Sequence, residues 1–380
     1  MKHWMMSGLH ALLSAIVLAS TIAVAHAQSL TWITDTEWSW CANIYPSGVS
    51  ADGSVVVGLH ENECLDFIRR AFRWTQSTGV QLLPPDDDSS EANAISWDGS
   101  VVVGEVGYFV GQAARWTSTG VQVFGPWSSS ARAVSADGSV IVGAVGGRAA
   151  RWAGSGYAQI GPRNSVATGV SADGSVVVGY LVGSDLNKYA FRWTQNDGLV
   201  IIGSANTEAT AVSADGSVVV GSAGARGAFL WVQGSGIEYI PNGGTLDGIS
   251  ADGSVIVGTG TNGAYLWTRG FGMLRLETVF ENLLGDGSFY TASAISANGR
   301  YIVGWGAMDA HGYSRAGFLL DIGFLVRSDV DGNGCVDDAD LLTVLFAFGS
   351  QGASDADITQ DGIVDDADLL QVLFYFGVGC

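Results

Sequence analysis

The chain has 380 residues, 54 of them glycine; 47% are hydrophobic and only 14% charged, with a formal net charge of −20. That balance suits many short strands joined by tight turns and argues against both a disordered chain and a helical bundle. No basic patch exists to neutralise phosphates, so nucleic acid is excluded as the expected partner.

Residues 1–27 read as a secretory signal: Lys2 opens it, Leu9–Ala25 is mostly apolar, and Ala25-His-Ala27 offers a small-x-small cleavage site before Gln28. An uncleaved membrane anchor is the alternative. No later segment approaches the roughly 18 apolar residues a membrane helix needs. The expectation is a secreted or cell-surface protein with no membrane span after cleavage.

Residues 28–324 repeat internally. The tag Ser-x-Asp-Gly-Ser, followed by a Val/Ile run and Gly, recurs at Asp52, Asp98, Asp137, Asp173, Asp215 and Asp252, with a last copy at Asn298. The intervals are 46, 39, 36, 42, 37 and 46 residues. Each unit offers four extended pieces; in the fourth these are ATGVS, SVVVG, YAFRWT and LVIIG. Asp-Gly between β-branched runs marks a hairpin, because the turn needs positive φ. Four strands per unit of about forty residues predict a propeller blade. The last unit stops after its third strand, Ala316–Asp321, while Leu30–Ile33 precedes the first tag as an unmatched fourth strand. Joining the two completes a seventh blade and leaves no open edge. An open, twisted β-solenoid is the alternative. These repeats resemble the bacterial extracellular HAF repeats, through Ala71-Phe-Arg-Trp74, Ala190-Phe-Arg-Trp193 and Ala228-Phe-Leu-Trp231. The resemblance implies export and repetition, and no active site.

The Trp ladder (Trp74, Trp116, Trp152, Trp193, Trp231, Trp267) is expected to pack between blades, with sugar stacking as the alternative. The tag Asp is expected to serve the turn. Arg73, Arg115, Arg151 and Arg192 precede the Trp and should point to the opposite face of their strand, into solvent. No nucleophile elbow, zinc motif or phosphate loop occurs, and after residue 27 only His60 and His311 could act as imidazole bases. No catalytic or organic-cofactor residue is therefore assigned. Acid clusters in Leu59–Arg70 (Glu61, Glu63, Asp66) and Pro84–Glu91 (Asp86, Asp87, Asp88) are where paired carboxylates would be sought. Four cysteines allow three connectivities. The favoured pairs are Cys41–Cys64, inside the first unit, and Cys335–Cys380.

The tail is a duplication, and it carries about half of the acidic excess: Arg327 to Cys380 holds eleven Asp and one Arg. Asp329-Val-Asp-Gly-Asn-Gly-Cys-Val-Asp-Asp-Ala-Asp340 runs into LLTVLFAFG, and Asp357-Ile-Thr-Gln-Asp-Gly-Ile-Val-Asp-Asp-Ala-Asp368 runs into LLQVLFYFG. Oxygen side chains fall at loop positions 1, 3, 5, 9 and 12 and Gly at 6, the pattern a hard cation with six to eight oxygen ligands requires. Leu341, Val344, Leu345 and Phe348, repeated as Leu369, Val372, Leu373 and Phe376, define one apolar face, with Gly349 and Gly377 as C-caps. Leu342 and Phe346, mirrored by Leu370 and Phe374, define a second. About fifty residues cannot readily bury both faces, so the second covers another part of the chain or docks a partner. Paired loop-helix units set their helices antiparallel, which should bring the second helix's end back to the first loop and seat the Cys335–Cys380 clasp.

This duplicated loop-helix resembles a type I dockerin, over roughly residues 327–380. The resemblance implies a small α, EF-hand-like domain holding two Ca²⁺. One ion would sit on Asp329, Asp331, Asn333, the Cys335 carbonyl, Asp337 and Asp340. A second, weaker for having Thr359 at position 3, would sit on Asp357, Thr359, Asp361, the Ile363 carbonyl, Asp365 and Asp368. It also implies a cohesin-like scaffold partner, selected at Asp338-Ala339 and Asp366-Ala367. Because these pairs are identical, binding in two orientations is allowed. The fold expected is therefore mainly β, a seven-bladed propeller (28–324) followed by a dockerin-like domain (325–380). The function expected is a non-catalytic exported repeat protein tethered through its tail. A polysaccharide-binding or glycoside-hydrolysing propeller is the alternative, and would require two carboxylates about 5–10 Å apart in one cleft. A calcium-stabilised cap that meets no cohesin is a third reading.

Overall fold

The computed structural model describes residues 28–35, 42–63, 68–85, 89–107, 110–241, 243–308, 315–323, 327–331, 336–352, 354–359 and 361–377. The chain divides into two compact units, one spanning Leu30–Thr268 and Gly272–Asp321 and the other carrying the tail from Ile322.

The larger unit is a seven-bladed β-propeller of four-stranded sheets. Blade 1 runs Ala42–Val49, Val56–Asn62, Ile68–Thr75 and Gly79–Leu82. Blade 2 runs Ser90–Ile95, Val102–Val106, Gln112–Thr117 and Gly120–Val123. Blade 3 runs Ser129–Val134, Val140–Val145, Arg148–Ala153 and Gly156–Arg163. Blade 4 runs Ser165–Val170, Val176–Val182, Lys188–Thr194 and Gly198–Ile201. Blade 5 runs Glu208–Val212, Val218–Ser222, Ala228–Val232 and Gly236–Ile240. Blade 6 runs Thr245–Ile249, Val255–Gly260, Gly263–Thr268 and Gly272–Arg275. Blade 7 runs Ser288–Ile295, Tyr301–Ala307 and Arg315–Asp321, and takes Ser29–Ile33 as its fourth strand. The long last interval between tags holds two helical turns, Leu276–Val279 and Glu281–Leu284, anchored by buried Leu276, Phe280 and Leu284.

Closure is direct, which disposes of the open solenoid. Ile33 and Val303 of blade 7 share a core with Ile44, Val56, Phe72 and Trp74 of blade 1. The backbone N–H of Arg315 also donates to Asn43 Oδ1 at 3.3 Å.

The tags explain the hairpins. In blade 1 the Ser50 hydroxyl donates to Asp52 Oδ1 at 2.7 Å, the N–H of Ser54 to the same oxygen at 3.0 Å, and the N–H of Val55 to Ser50 Oγ at 3.0 Å. Gly53 sits at φ 72°, with Tyr301 within 2.6 Å of where a Cβ would stand. The carboxylate of Asp137, accepting from the N–H of Ser139 and the hydroxyl of Ser135, is held down at about 2. The tag Asp is thus spent on its turn, as expected. Tags also join blade to blade. The N–H of Ala51 donates to the Trp97 carbonyl, Trp97 to Ala136, Ala136 to Ala172, Ala172 to Ala214, Ala214 to Ala251, and Ala251 to Ala297, all at 2.8–3.1 Å.

Every innermost strand is bulged at one repeat position: Ser47, Asn93, Arg132, Thr168, Thr210, Asp247 and Ser293 each fall at a break in register. The residue before each bulge pairs with the Gly that ends the Val/Ile run. A Cβ on that Gly would lie 1.9–2.1 Å from an inner-strand carbonyl oxygen in all seven blades. Gly143→Ala should therefore cost about 2–3 kcal/mol through overpacking, whereas Gly154→Ala, with open space around it, should cost about 1 kcal/mol through its positive φ. Chemical denaturation of the two variants tests the ranking; equal losses would mean that the close approach is not what demands glycine.

In the tail, two ten-residue helices, Asp338–Ala347 and Asp366–Tyr375, each begin with a capping box, Asp337 with Asp340 and Asp365 with Asp368. Gly349 and Gly377 take positive φ after them, as their C-cap role predicts.

Candidate functional site

The tail loops gather carboxylates. Oxygens of Asp329, Asp331 and Asp340 lie within 4.8 Å of one another. Asp340 is fully buried and its charge is met by amides: Oδ1 accepts from the N–H of Val330 at 2.6 Å and of Asp331 at 3.1 Å, and Oδ2 from Asp337 at 2.9 Å. Asp368, equally buried, accepts from the N–H of Thr359 and of Asp365, both at 2.8 Å. Asp357 accepts from the N–H of Asp361 and Gly362, and Asp361 from that of Ile363. Thr359 Oγ1 is shielded from solvent with no hydrogen-bond partner among the described residues. Asp337 and Asp365 are occupied as N-caps, accepting from Ala339 and Ala367 at 2.7 and 2.8 Å. The donor set is all oxygen, and three converging carboxylates with an orphaned hydroxyl in the sister loop fit a hard cation. Asn333 and Cys335 lie outside the described residues.

The helix faces differ from the expectation. Val344 and Val372 are buried, with Val336, Ile358, Val364 and Tyr375, but Leu345, Phe348, Leu373 and Phe376 stand exposed. A single contact between two short helices covers only a narrow stripe, and the valines fill it. On the second face Leu342, Phe374 and above all Phe346, 87% accessible, are exposed, and Leu370 is half-buried. Asp338, Ala339 and Asp366 are exposed and Ala367 half-buried. The two halves clasp reciprocally: the N–H of Gly349 donates to the Val364 carbonyl at 2.8 Å, and that of Gly377 to Val336 at 2.7 Å. The second helix thus ends at the first loop. Cys41, Cys64, Cys335 and Cys380 all lie outside the described residues, as do residues 1–27, Asp66, Asp86, Asp87, Asp88 and His311.

In the propeller, the bulged residues ring an axial channel lined by the innermost strands of all seven blades. Four of them latch onto the next blade. Ser47 Oγ donates to the Ala92 carbonyl at 2.7 Å, Asn93 Nδ2 to Ala131 at 2.8 Å, Thr168 Oγ1 to Ala209 at 2.7 Å, and Thr210 Oγ1 to Leu246. The sequence reading missed this ring, although its signal is a polar residue five places before every tag Asp or Asn. At the channel end away from the tags opens a cleft of about 470 Å³ whose walls include Tyr45, Glu91, Asp247, Thr291 and Trp305.

The acid loops turn out differently from one another. Glu61 lies 3.7 Å and Glu91 3.2 Å from Arg69, and Glu63 accepts from Asn43 Nδ2 at 2.7 Å. Of these only Glu91 reaches the channel-mouth cleft, where its acidic companion is Asp247 from blade 6. Trp74, Trp116 and Trp152 are buried in cores shared by adjacent blades, and Trp193, Trp231 and Trp267 pack against such cores half-buried. Arg151 and Arg192 donate to the tag carbonyls of Gly174 and Gly216 in the next blade, rather than pointing free into solvent.

Comparison with family models and with curated proteins finds no match to this chain.

Burial pushes the Asp247 carboxyl up to about 6, against the hydrogen bonds it accepts from Thr245 and Thr259. An unfolded Asp titrates near about 3.9, so between roughly pH 4 and 6 the folded state holds a proton the unfolded state has lost. This contribution to stability is complete below that window and falls as pH rises through it. Melting temperatures from pH 4 to 7 should decline more steeply in the native protein than in Asp247→Asn; parallel profiles would remove Asp247 as the source.

Proposed function

We propose that this chain is an exported, non-catalytic propeller, tethered through its tail to a cell-surface or secreted assembly by a calcium-dependent, dockerin-type interaction with a cohesin-like scaffold. The observation that carries this reading is the duplicated loop in which positions 1, 3 and 12 (Asp329, Asp331, Asp340) converge at the head of a helix whose outward face is apolar. Calcium bound there would neutralise carboxylates that otherwise repel, and binding free energy would appear as folding free energy of the tail. Asp329, Asp331 and Asp340 would hold the first ion, and Asp357, Thr359, Asp361 and Asp368 the weaker second. Asp337 and Asp365 set the helix starts, and would reach an ion only as position-9 ligands acting through water. The exposed Leu342, Phe346 and Phe374, flanked by Asp338-Ala339 and Asp366-Ala367, are the surface on which the partner would dock.

Two experiments test this. Calcium added to the chelated full-length protein should raise its helical circular dichroism, and Asp329→Ala with Asp357→Ala should abolish the gain; an unchanged response in the double variant would overturn the calcium assignment. Mature protein used as bait on the native envelope and culture fluid should retain a scaffold protein that EDTA releases. Leu342→Asp with Phe346→Asp should lose that partner at least tenfold while folding normally, because both side chains are already in water. Retention unaffected by EDTA, or by these substitutions, would refute the docking surface.

A further inference from the structure

We propose that the channel-mouth cleft between blades 1, 2, 6 and 7 is a binding site for a neutral polyhydroxylated ligand, a sugar residue, with Asp247 as its polar anchor. The site belongs to the propeller and stands whether or not the tail tethers the chain.

At the bulge position a hydroxyl or amide donates to the next blade's carbonyl in blades 1, 2, 4 and 5. By the same register the carbonyl facing Asp247 is that of Ala292, and an ionised carboxylate cannot donate to it. Blade 6 therefore gives up a latch that Asn or Thr would have provided, in an array where the other parts of the unit are repeated. Such a departure is expected where a site is built at the expense of stability. The walls around Asp247 agree. Thr245 and Thr259 donate to Asp247 Oδ2 at 3.0 and 3.2 Å, which fixes that oxygen in place. Thr291 Oγ1, on the same cleft, is shielded from solvent and has no hydrogen-bond partner among the described residues. Tyr45 and Trp305 meet edge to face at 5.5 Å, with Arg315 lying 5.3 Å from the Trp305 ring centre and donating to the Tyr45 hydroxyl at 2.9 Å.

Charge decides the ligand class. Glu91 is answered by Arg69 at 3.2 Å, and Asp247 by two hydroxyls, so neither is a naked charge awaiting a cation. What the cleft offers is carboxylate and hydroxyl acceptors beside two aromatic side chains, in a volume that suits a small molecule. Hydroxyl groups on a ring with an apolar face match that arrangement.

The test is saturation-transfer NMR of the full-length protein with D-glucose, D-galactose, D-mannose, D-xylose and cellobiose, and with tetramethylammonium as the cationic control. At least one sugar should bind saturably, and Asp247→Asn and Glu91→Gln should each weaken it at least tenfold. Asp247→Asn should also melt no lower than the native protein, since Asn can latch to Ala292 as Asn93 does to Ala131; that separates lost binding from lost folding. Binding of tetramethylammonium in place of sugars, no binding by any of the five sugars, or sugar affinity unchanged in Asp247→Asn would overturn the proposal, and a lower melting temperature would overturn its latch argument.

Discussion

Everything in the propeller depends on how closely the second strand of each blade can approach the bulged inner strand. The Gly ending each Val/Ile run lies against an inner-strand carbonyl at a distance no Cβ tolerates. Opposite it, the extra residue of the bulge turns into the channel, where it can reach the neighbouring blade. Glycine and bulge are one device repeated seven times, and in four blades a latch completes it. The tag serves the same end from the other side of the strand: its Ser and Asp close the turn, and its x residue hydrogen-bonds blade to blade. The hydrophobic clusters between blades then fill a frame already held by polar contacts on the axis.

This explains which features could be read from residues alone. The period, the Asp-Gly turns and the split seventh blade were legible because each rests on local chemistry: a turn that needs positive φ, and an unmatched strand at either end of the repeat. The bulge ring was not. Its seven members are Ser, Asn, Arg, Thr, Thr, Asp and Ser, too varied to look like a motif, and the extra residue shifts the alternation by one. A strand read as strictly alternating puts these side chains on the wrong face.

The tail shows the same division. Its duplicated loops and terminal glycines are local and were legible. Which apolar stripe meets the sister helix was not, because helical spacing defines faces without saying which is covered. The reciprocal bonds from Gly349 to Val364 and from Gly377 to Val336 set the crossing of the two halves. That crossing puts Val344 and Val372 inside and leaves Leu345, Phe348, Leu373 and Phe376 in water. The exposed apolar surface is therefore wider than the two-residue stripe per helix that spacing suggested.

Repetition gives each unit a control in its neighbours, and that is what makes single departures informative. A carboxylate in an ordinary cleft can be explained by solubility, hydrogen bonding or chance. Asp247 is compared with six residues at the same place in the same fold, four of which perform a latch that it cannot. Arg132 is the other member with different chemistry, and it stands exposed on the channel wall in blade 3. Its guanidinium counters the burial that pushes the Glu105 carboxyl up, while Glu91, paired across the sheet with Glu105, pushes the same way as burial. Asp247, by contrast, accepts from the hydroxyls of Thr245 and Thr259. Of the two members that carry neither a hydroxyl nor an amide, Arg132 balances nearby acids, whereas Asp247 leaves a carboxylate at the mouth of the channel that, among the described residues, the hydroxyls of Thr245 and Thr259 answer.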